Sequence, residues 1–160
     1  MVDTGITKLA WVVTISNPSA PTAAELTAGI DLSCLMTTAY SVGFDASDTI
    51  SEQAVCETAN TVTPTLEKYQ GNLVLFSSFT AGALDSGDSK NAFANAYEVG
   101  YFVRRIGLPY STAFAAAQKV EVYKFMADRV QRAGGTAQGY TKITVPLLPQ
   151  GFAKDQVTVA

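Results

Sequence analysis

The chain has 160 residues, 48% of them apolar and 16% charged, with eleven Lys+Arg, fourteen Asp+Glu, no histidine and a net charge of −3. These figures exclude a Ser-His-Asp or Cys-His relay, a His-based metal site and an imidazole pH switch, and two cysteines are too few for a four-thiolate zinc site. The charged fraction lies below the roughly 25% of ordinary soluble domains, which suits a subunit that buries several faces against neighbours.

In chain order, Lys8 to Ile15 alternates, with Leu9, Trp11, Val13 and Ile15 on one face, and predicts a half-buried strand anchored by the tryptophan. Two prolines in Asn17-Pro18-Ser19-Ala20-Pro21 end it. Thr22-Ala23-Ala24-Glu25 has capping-box spacing, and Gly29 limits the helix to little more than a turn. Leu35 to Glu57 is polar and β-branched, with Gly43 at a bend. A Gln70-Gly71-Asn72 turn leads into Leu73 to Phe79, apolar on both faces as in a central strand. After a Thr80–Asp88 loop, Asp88-Ser89 is placed to cap a short helix through Tyr97. Val99 to Arg104 alternates as a strand that stops at Gly107-Leu108-Pro109. Ser111-Thr112 precedes a helical turn, and Val120 to Phe125 is a strand. Met126 to Ala133 reads equally as a helix, and Gly134 to Tyr140 as a connector. Ile143, Val145 and Leu147, a Pro149-Gln150-Gly151 turn, then Val157 and Val159 predict a C-terminal hairpin, with Pro146 pointing to an edge position. About eight strands and a few short helices make a mainly β sandwich or barrel of two packed antiparallel sheets. One domain over residues 1–160 is expected, its terminal segments available as inter-subunit arms.

Charge is divided along the chain. Residues 1–103 carry eleven acids against three bases, and residues 104–160 carry eight bases against three acids. A protomer with an acidic and a basic face suits head-to-tail contacts; mixing of the two halves over one surface is the alternative. The glycines at 134–139 lack the Lys-Ser/Thr of a phosphate loop. Asp45-x-x-Asp48 and Asp85-x-x-Asp88 lie among Gly, Ser and Thr, where solvated turn acids are the common case. Arg104-Arg105 in a strand sends its side chains to opposite faces, as interface or surface salt bridges. No catalytic, cofactor or metal constellation emerges. Cys34 and Cys56 are expected as buried small hydrophobes in a reducing cytoplasm. Met1 to Thr4 lacks a signal-peptide start, and no apolar run approaches the ~18 residues of a membrane helix, so no membrane contact is expected.

Gly100-Tyr101-Phe102-Val103-Arg104-Arg105-Ile106-Gly107-Leu108-Pro109, followed by Thr112-Ala113-Phe114-Ala115-Ala116-Ala117-Gln118-Lys119-Val120-Glu121-Val122-Tyr123, resembles the major tail (tail tube) proteins of long, non-contractile-tailed bacteriophages, especially those of actinobacteria. The order of Ala24-Glu25-Leu26, Asp31-Leu32-Ser33-Cys34, Val55-Cys56-Glu57-Thr58 and Tyr69-Gln70-Gly71 extends the similarity over most of the chain. The resemblance implies a structural virion protein with a β-sandwich and a flanking helix. It also implies hexameric rings stacked head to tail around a tape-measure protein, with tail terminator and distal tail proteins as partners. Such a tube is assembled in the host cytoplasm and conducts double-stranded DNA into the host.

In a DNA-conducting tube the wall has to repel or ignore phosphates. Asp45, Asp48, Glu52 and Glu57, in a stretch without a base between Lys8 and Lys68, are the candidate bore-facing acids. Arg104 and Arg105 are the candidate inter-subunit contacts. A tube subunit of a contractile tail or of a type VI-like secretion machine is the alternative, and a small-ligand β-barrel binding protein a more distant one.

Overall fold

The computed structural model describes residues 5–56, 58–59, 61–77, 79–80, 83–84, 92–132 and 141–160. Its frame is an antiparallel eight-stranded sheet. The strands are β1 (Thr7–Val12), β2 (Ile30–Asp31), β3 (Ser41–Glu52), β4 (Thr61–Phe76), β7 (Val99–Ile106), β8 (Lys119–Ala127), β9 (Gln131–Arg132) and β10 (Lys142–Thr158). They run in the order β2-β1-β7-β8-β10-β4-β3, with β9 beside β10. β5 (Phe79–Thr80) and β6 (Ala83–Leu84) pair separately.

Two layers arise because this sheet folds over on itself. Leu9 and Trp11 of β1, Phe102 of β7, Tyr123 and Phe125 of β8, Val145 and Leu147 of β10, and Leu73 and Leu75 of β4 converge in one buried cluster. The Arg104 guanidinium donates to the Val42 carbonyl at 3.2 Å, joining β7 to β3 across the fold. Between the two edges, residues 32–40 cross over, and Met36 bridges Leu75. The two packed layers expected of a sandwich are therefore halves of one ladder, closed by apolar burial worth about 1.5–3 kcal/mol for each large side chain.

The opposite face of β1, β7 and β8 has its own core. Ala10, Val12, Val103, Val120 and Val122 pack with Ile15, Leu26 and Phe114. The covering helix α1 (Ala23–Ala28) is capped as its sequence demands: Thr22 accepts from Glu25 N–H, and the Glu25 carboxylate accepts from Thr22 N–H. β1 is consequently buried on both faces, not half-buried. The strand ends at Val12, so Val13 is left exposed and Ile15 joins the other cluster.

Five further expectations give way to tertiary contacts. Gln70-Gly71-Asn72 is no turn but lies inside sixteen-residue β4. Gly71 is there because a Cβ would come within 2.8 Å of Phe125 and Leu147 side-chain atoms. Pro149-Gln150-Gly151 does not close a hairpin either. β10 runs on for seventeen residues, pairing with β4 through its first part and with β8 through the rest. Its register slips between Pro149 and Ala153, where Gly151 takes φ +74°. Pro146 sits inside β10, and its carbonyl accepts from Asp128 N–H where β8 has already ended, so its missing donor leaves no gap in the ladder. Residues 111–118 form turns and irregular chain instead of a helical turn, and 126–132 supplies the end of β8 and then β9 instead of a helix. The Asp88-Ser89 cap, the Asp85/Asp88 pair and the glycine connector at 134–139 lie outside the described residues.

Both cysteines are free and exposed, contrary to the expected burial. Cys34 falls in the turn after β2 and Cys56 in the turn beyond β3, where the backbone leaves the sheet.

Candidate functional site

Beyond Phe44 and Tyr69, β3 and β4 leave the body as a two-stranded hairpin. Almost all of its residues from Asp45 to Glu52 and from Thr61 to Lys68 are exposed. Eight residues per strand extend about 25 Å. The hairpin carries apolar side chains into solvent: Ile50 is 55% exposed, Val62 57% and Leu66 67%. Two register shifts, between Asp45 and Asp48 and between Asp48 and Thr49, interrupt its ladder and twist it.

Its base is fastened by Tyr69. The hydroxyl donates to the Lys124 carbonyl at 2.9 Å and accepts from the N–H groups of Gln150 and Phe152 at 2.8 and 3.1 Å. Those are backbone groups that the slipped register of β10 would otherwise orphan. The ring packs between Tyr123 and Phe125.

Three of the four candidate bore-facing acids sit on this hairpin. Asp45 opposes Lys68 in the ladder and Asp48 opposes Leu66, while Glu52 lies toward the tip opposite Thr61. Asp48 also pairs with the Lys68 ammonium at 2.5 Å, both groups about half exposed. Glu57 lies outside the described residues. Asp45 accepts from the Ala46 N–H. Among the described residues no group of three or more acids or cysteines is arranged to hold a metal.

Arg104 and Arg105 point to opposite faces, as two consecutive strand residues must. Arg104 lies on the Phe102 side and pairs with Glu121 at 2.5 Å. Partial burial opposes its charge, but hydrogen bonding to Tyr40 and the Glu121 carboxylate outweigh that and raise its pKa above the ordinary arginine value. The same environment, burial first and the Glu121 charge second, pushes the Tyr123 hydroxyl up to about 12. Arg105 is buried, and no carboxylate pairs with it among the described residues. One terminal nitrogen donates to the carbonyls of Thr112 and Ala113 and to Gln118 Oε1, the other donates to the Pro109 carbonyl, and Phe114 lies 5.5 Å from the guanidinium carbon. Desolvation lowers its pKa. Arg105 thus shapes the 107–118 loop that carries Phe114 into the outer core. Alternation revealed the two faces, whereas the carbonyl cradle, built by a loop without regular structure, left no mark in the local pattern.

An open cleft of about 780 Å³ lies between Leu9, Met36, Tyr40, Val42 and Arg104. The interior of the folded sheet itself is filled by Trp11, Phe102, Tyr123 and Phe125, which is not the arrangement of a barrel that holds a ligand inside. No helix among the described residues is long and apolar enough to cross a membrane.

A folded antiparallel sheet with an outstretched, partly apolar hairpin and a sparsely charged surface describes a building block, a protomer shaped to meet other protomers. The family comparison agrees. Residues 1–160 match the family model described as Phage tail tube protein, and the chain belongs to that family. It is a structural subunit of a phage tail tube, and hence a component of the virion tail. No curated protein matches it.

Proposed function

We propose that the chain is the major tube subunit of a long, non-contractile tail, closing as hexameric rings that stack head to tail around a tape-measure protein. Tail terminator and distal tail proteins bound the tube, which is assembled in the host cytoplasm and later conducts double-stranded DNA. The observation that carries this reading is the β3–β4 hairpin. A two-stranded ribbon with solvent on both faces and exposed Ile50, Val62 and Leu66 is a costly free surface and a ready template for pairing. Neighbouring copies supply the cover, and many modest contacts add up along a polymer.

The bore is lined, in this reading, by the outer face of β3, β4 and β10. That face presents Ser41, Gln70, Asn72 and Thr144 beside Phe76 and Lys142, and is continuous with Asp45, Asp48 and Lys68 at the hairpin base. Lys68 on this wall is paired with Asp48, and a wall of near-balanced charge grips phosphates weakly. Glu52, nearer the tip, is placed at the contact between rings. Of the two arginines, Arg104 borders the open cleft, where a neighbour would meet it already paired with Glu121, while Arg105 acts by holding its own loop.

The experiment replaces residues 49–64 by a two-residue Asn-Gly turn, which matches a short hairpin. The shortened chain is expected to fold with an unchanged thermal midpoint and to sediment as protomers or single rings under conditions where the parent forms tubes. Equal polymerisation of the two would contradict the assignment.

A further inference from the structure

Among the described residues, the outer face of β7, β8 and β10 is roofed at one end only. A six-residue α1 is about 9 Å long, whereas eight-residue β7 spans about 26 Å. Beyond the roof, Val99 opposes Met126 and Met126 opposes Leu148, forming an apolar row across three strands. Val99 is 36% exposed and Leu148 42%. The next row pairs Tyr101 with Lys124, whose ammonium lies 5.9 Å from the ring centroid. Lys154 stands over Phe152 at 5.8 Å and donates to the Ser19 hydroxyl. Among the described residues neither lysine has a carboxylate within ion-pair distance.

We propose that this uncovered end of the sheet receives the distal β3–β4 hairpin of a second copy of the chain. The inference rests on the tube reading and names the surface that the hairpin meets. Charge complementarity selects this occupant. Residues 45–68 carry Asp45, Asp48, Glu52, Glu57 and Glu67 against Lys68 alone, and the facing patch offers two lysines whose partners among the described residues are aromatic rings and a hydroxyl. The apolar components match as well: Ile50, which shares one face of the ribbon with Glu52, meets the row of Val99, Met126 and Leu148. Patch and hairpin are different surfaces of one protomer, so the contact is heterologous and joins copies in an open series instead of a closed dimer. Opposite charges at the rim steer the hairpin and fix its register, and the apolar row supplies the buried contact.

The test is Lys124→Glu with Lys154→Glu in the full-length chain, read by sedimentation and negative-stain microscopy. Neither lysine has an ion-pair partner among the described residues, so the thermal midpoint is expected to stay close to the parent's. The concentration needed for tubes should rise about tenfold or more, and Glu52→Lys in the same chain should restore part of the loss. A second measurement uses Ile50→Cys with Leu148→Cys in a background where Cys34 and Cys56 are serine; mild oxidation of tubes is expected to link neighbouring copies. Tubes that form at the parent's concentration despite charge reversal, or that give no such link, overturn the inference while leaving the tube reading in place. A parent chain that forms no tubes contradicts the tube reading and this inference together.

Discussion

The Tyr69 hydroxyl makes three hydrogen bonds to backbone groups that no strand can reach, on Lys124, Gln150 and Phe152. Removing it strips partners from groups already withdrawn from water, and the cost of leaving such groups unpaired exceeds the net worth of the bonds. Tyr69→Phe is expected to lower stability by about 1–3 kcal/mol in urea denaturation, with the ring packing retained; an unchanged midpoint would show that water replaces the hydroxyl without loss. Gly100 raises the opposite problem. A Cβ there would sit 2.6 Å from a ring carbon of the buried Trp11 indole. Ala is ordinarily the better strand residue, but a rigid indole fixed by Phe93 at 5.3 Å has no room to yield. Gly100→Ala should therefore destabilise by about 1–3 kcal/mol, measured by thermal or urea unfolding, with a stabilised variant as the contrary result.

Among the elements, α1 is held by a carboxylate. Glu25 accepts from the N–H groups of Thr22 and Ser16, which lowers its pKa from 4.5 to about 2. The anion is thus favoured in the folded chain, so its contribution is complete above about pH 4.5 and disappears as the pH falls toward 2. The thermal midpoint of the parent should fall more steeply between pH 4.5 and 2 than that of Glu25→Gln. Asp31, also lowered because its bonds to Ser33 and the Lys8 ammonium outweigh burial, leaves part of the slope in the variant. Identical slopes would remove Glu25 from the acid response.

This helix was legible in the sequence because a capping box is local, written in four consecutive residues. Alternation exposed β1, β7 and β8 in the same way, together with the opposed directions of Arg104 and Arg105. The lengths of β4 and β10 were hidden. Gly71 and Pro149-Gln150-Gly151 carry turn chemistry, yet one glycine admits Phe125 and Leu147 from other strands and the other segment forms a bulge that Tyr69 fills. Those causes are distant in sequence, beyond the reach of a local pattern. For the same reason the acids Asp45 and Asp48 could be recognised as a group while the hairpin that carries them could not.

At the scale of the molecule, the low charge density, the division of charge along the chain and the projecting hairpin share one physical explanation. A protomer surrounded by copies of itself needs few ions for solubility. Its acidic hairpin and its lysine-bearing sheet face are complementary, so head-to-tail contacts are favoured over self-complementary ones. Folding the sheet into two layers hides one apolar face inside each protomer, and in the proposed tube the opposite face of β3, β4 and β10 would line the bore. In the proposed tube this face would let DNA pass because its lysines, Lys68 and Lys142, are balanced by Asp45 and Asp48.

Electron microscopy of the purified chain at high concentration, with helical reconstruction, tests this arrangement most directly. The expected image is a hollow cylinder of six-fold rings, with Ser41, Gln70, Asn72 and Thr144 on its inner wall and the β3–β4 hairpin reaching the next ring. A chain that stays monomeric at every concentration, or a cylinder whose inner wall is the face bearing α1, would contradict it.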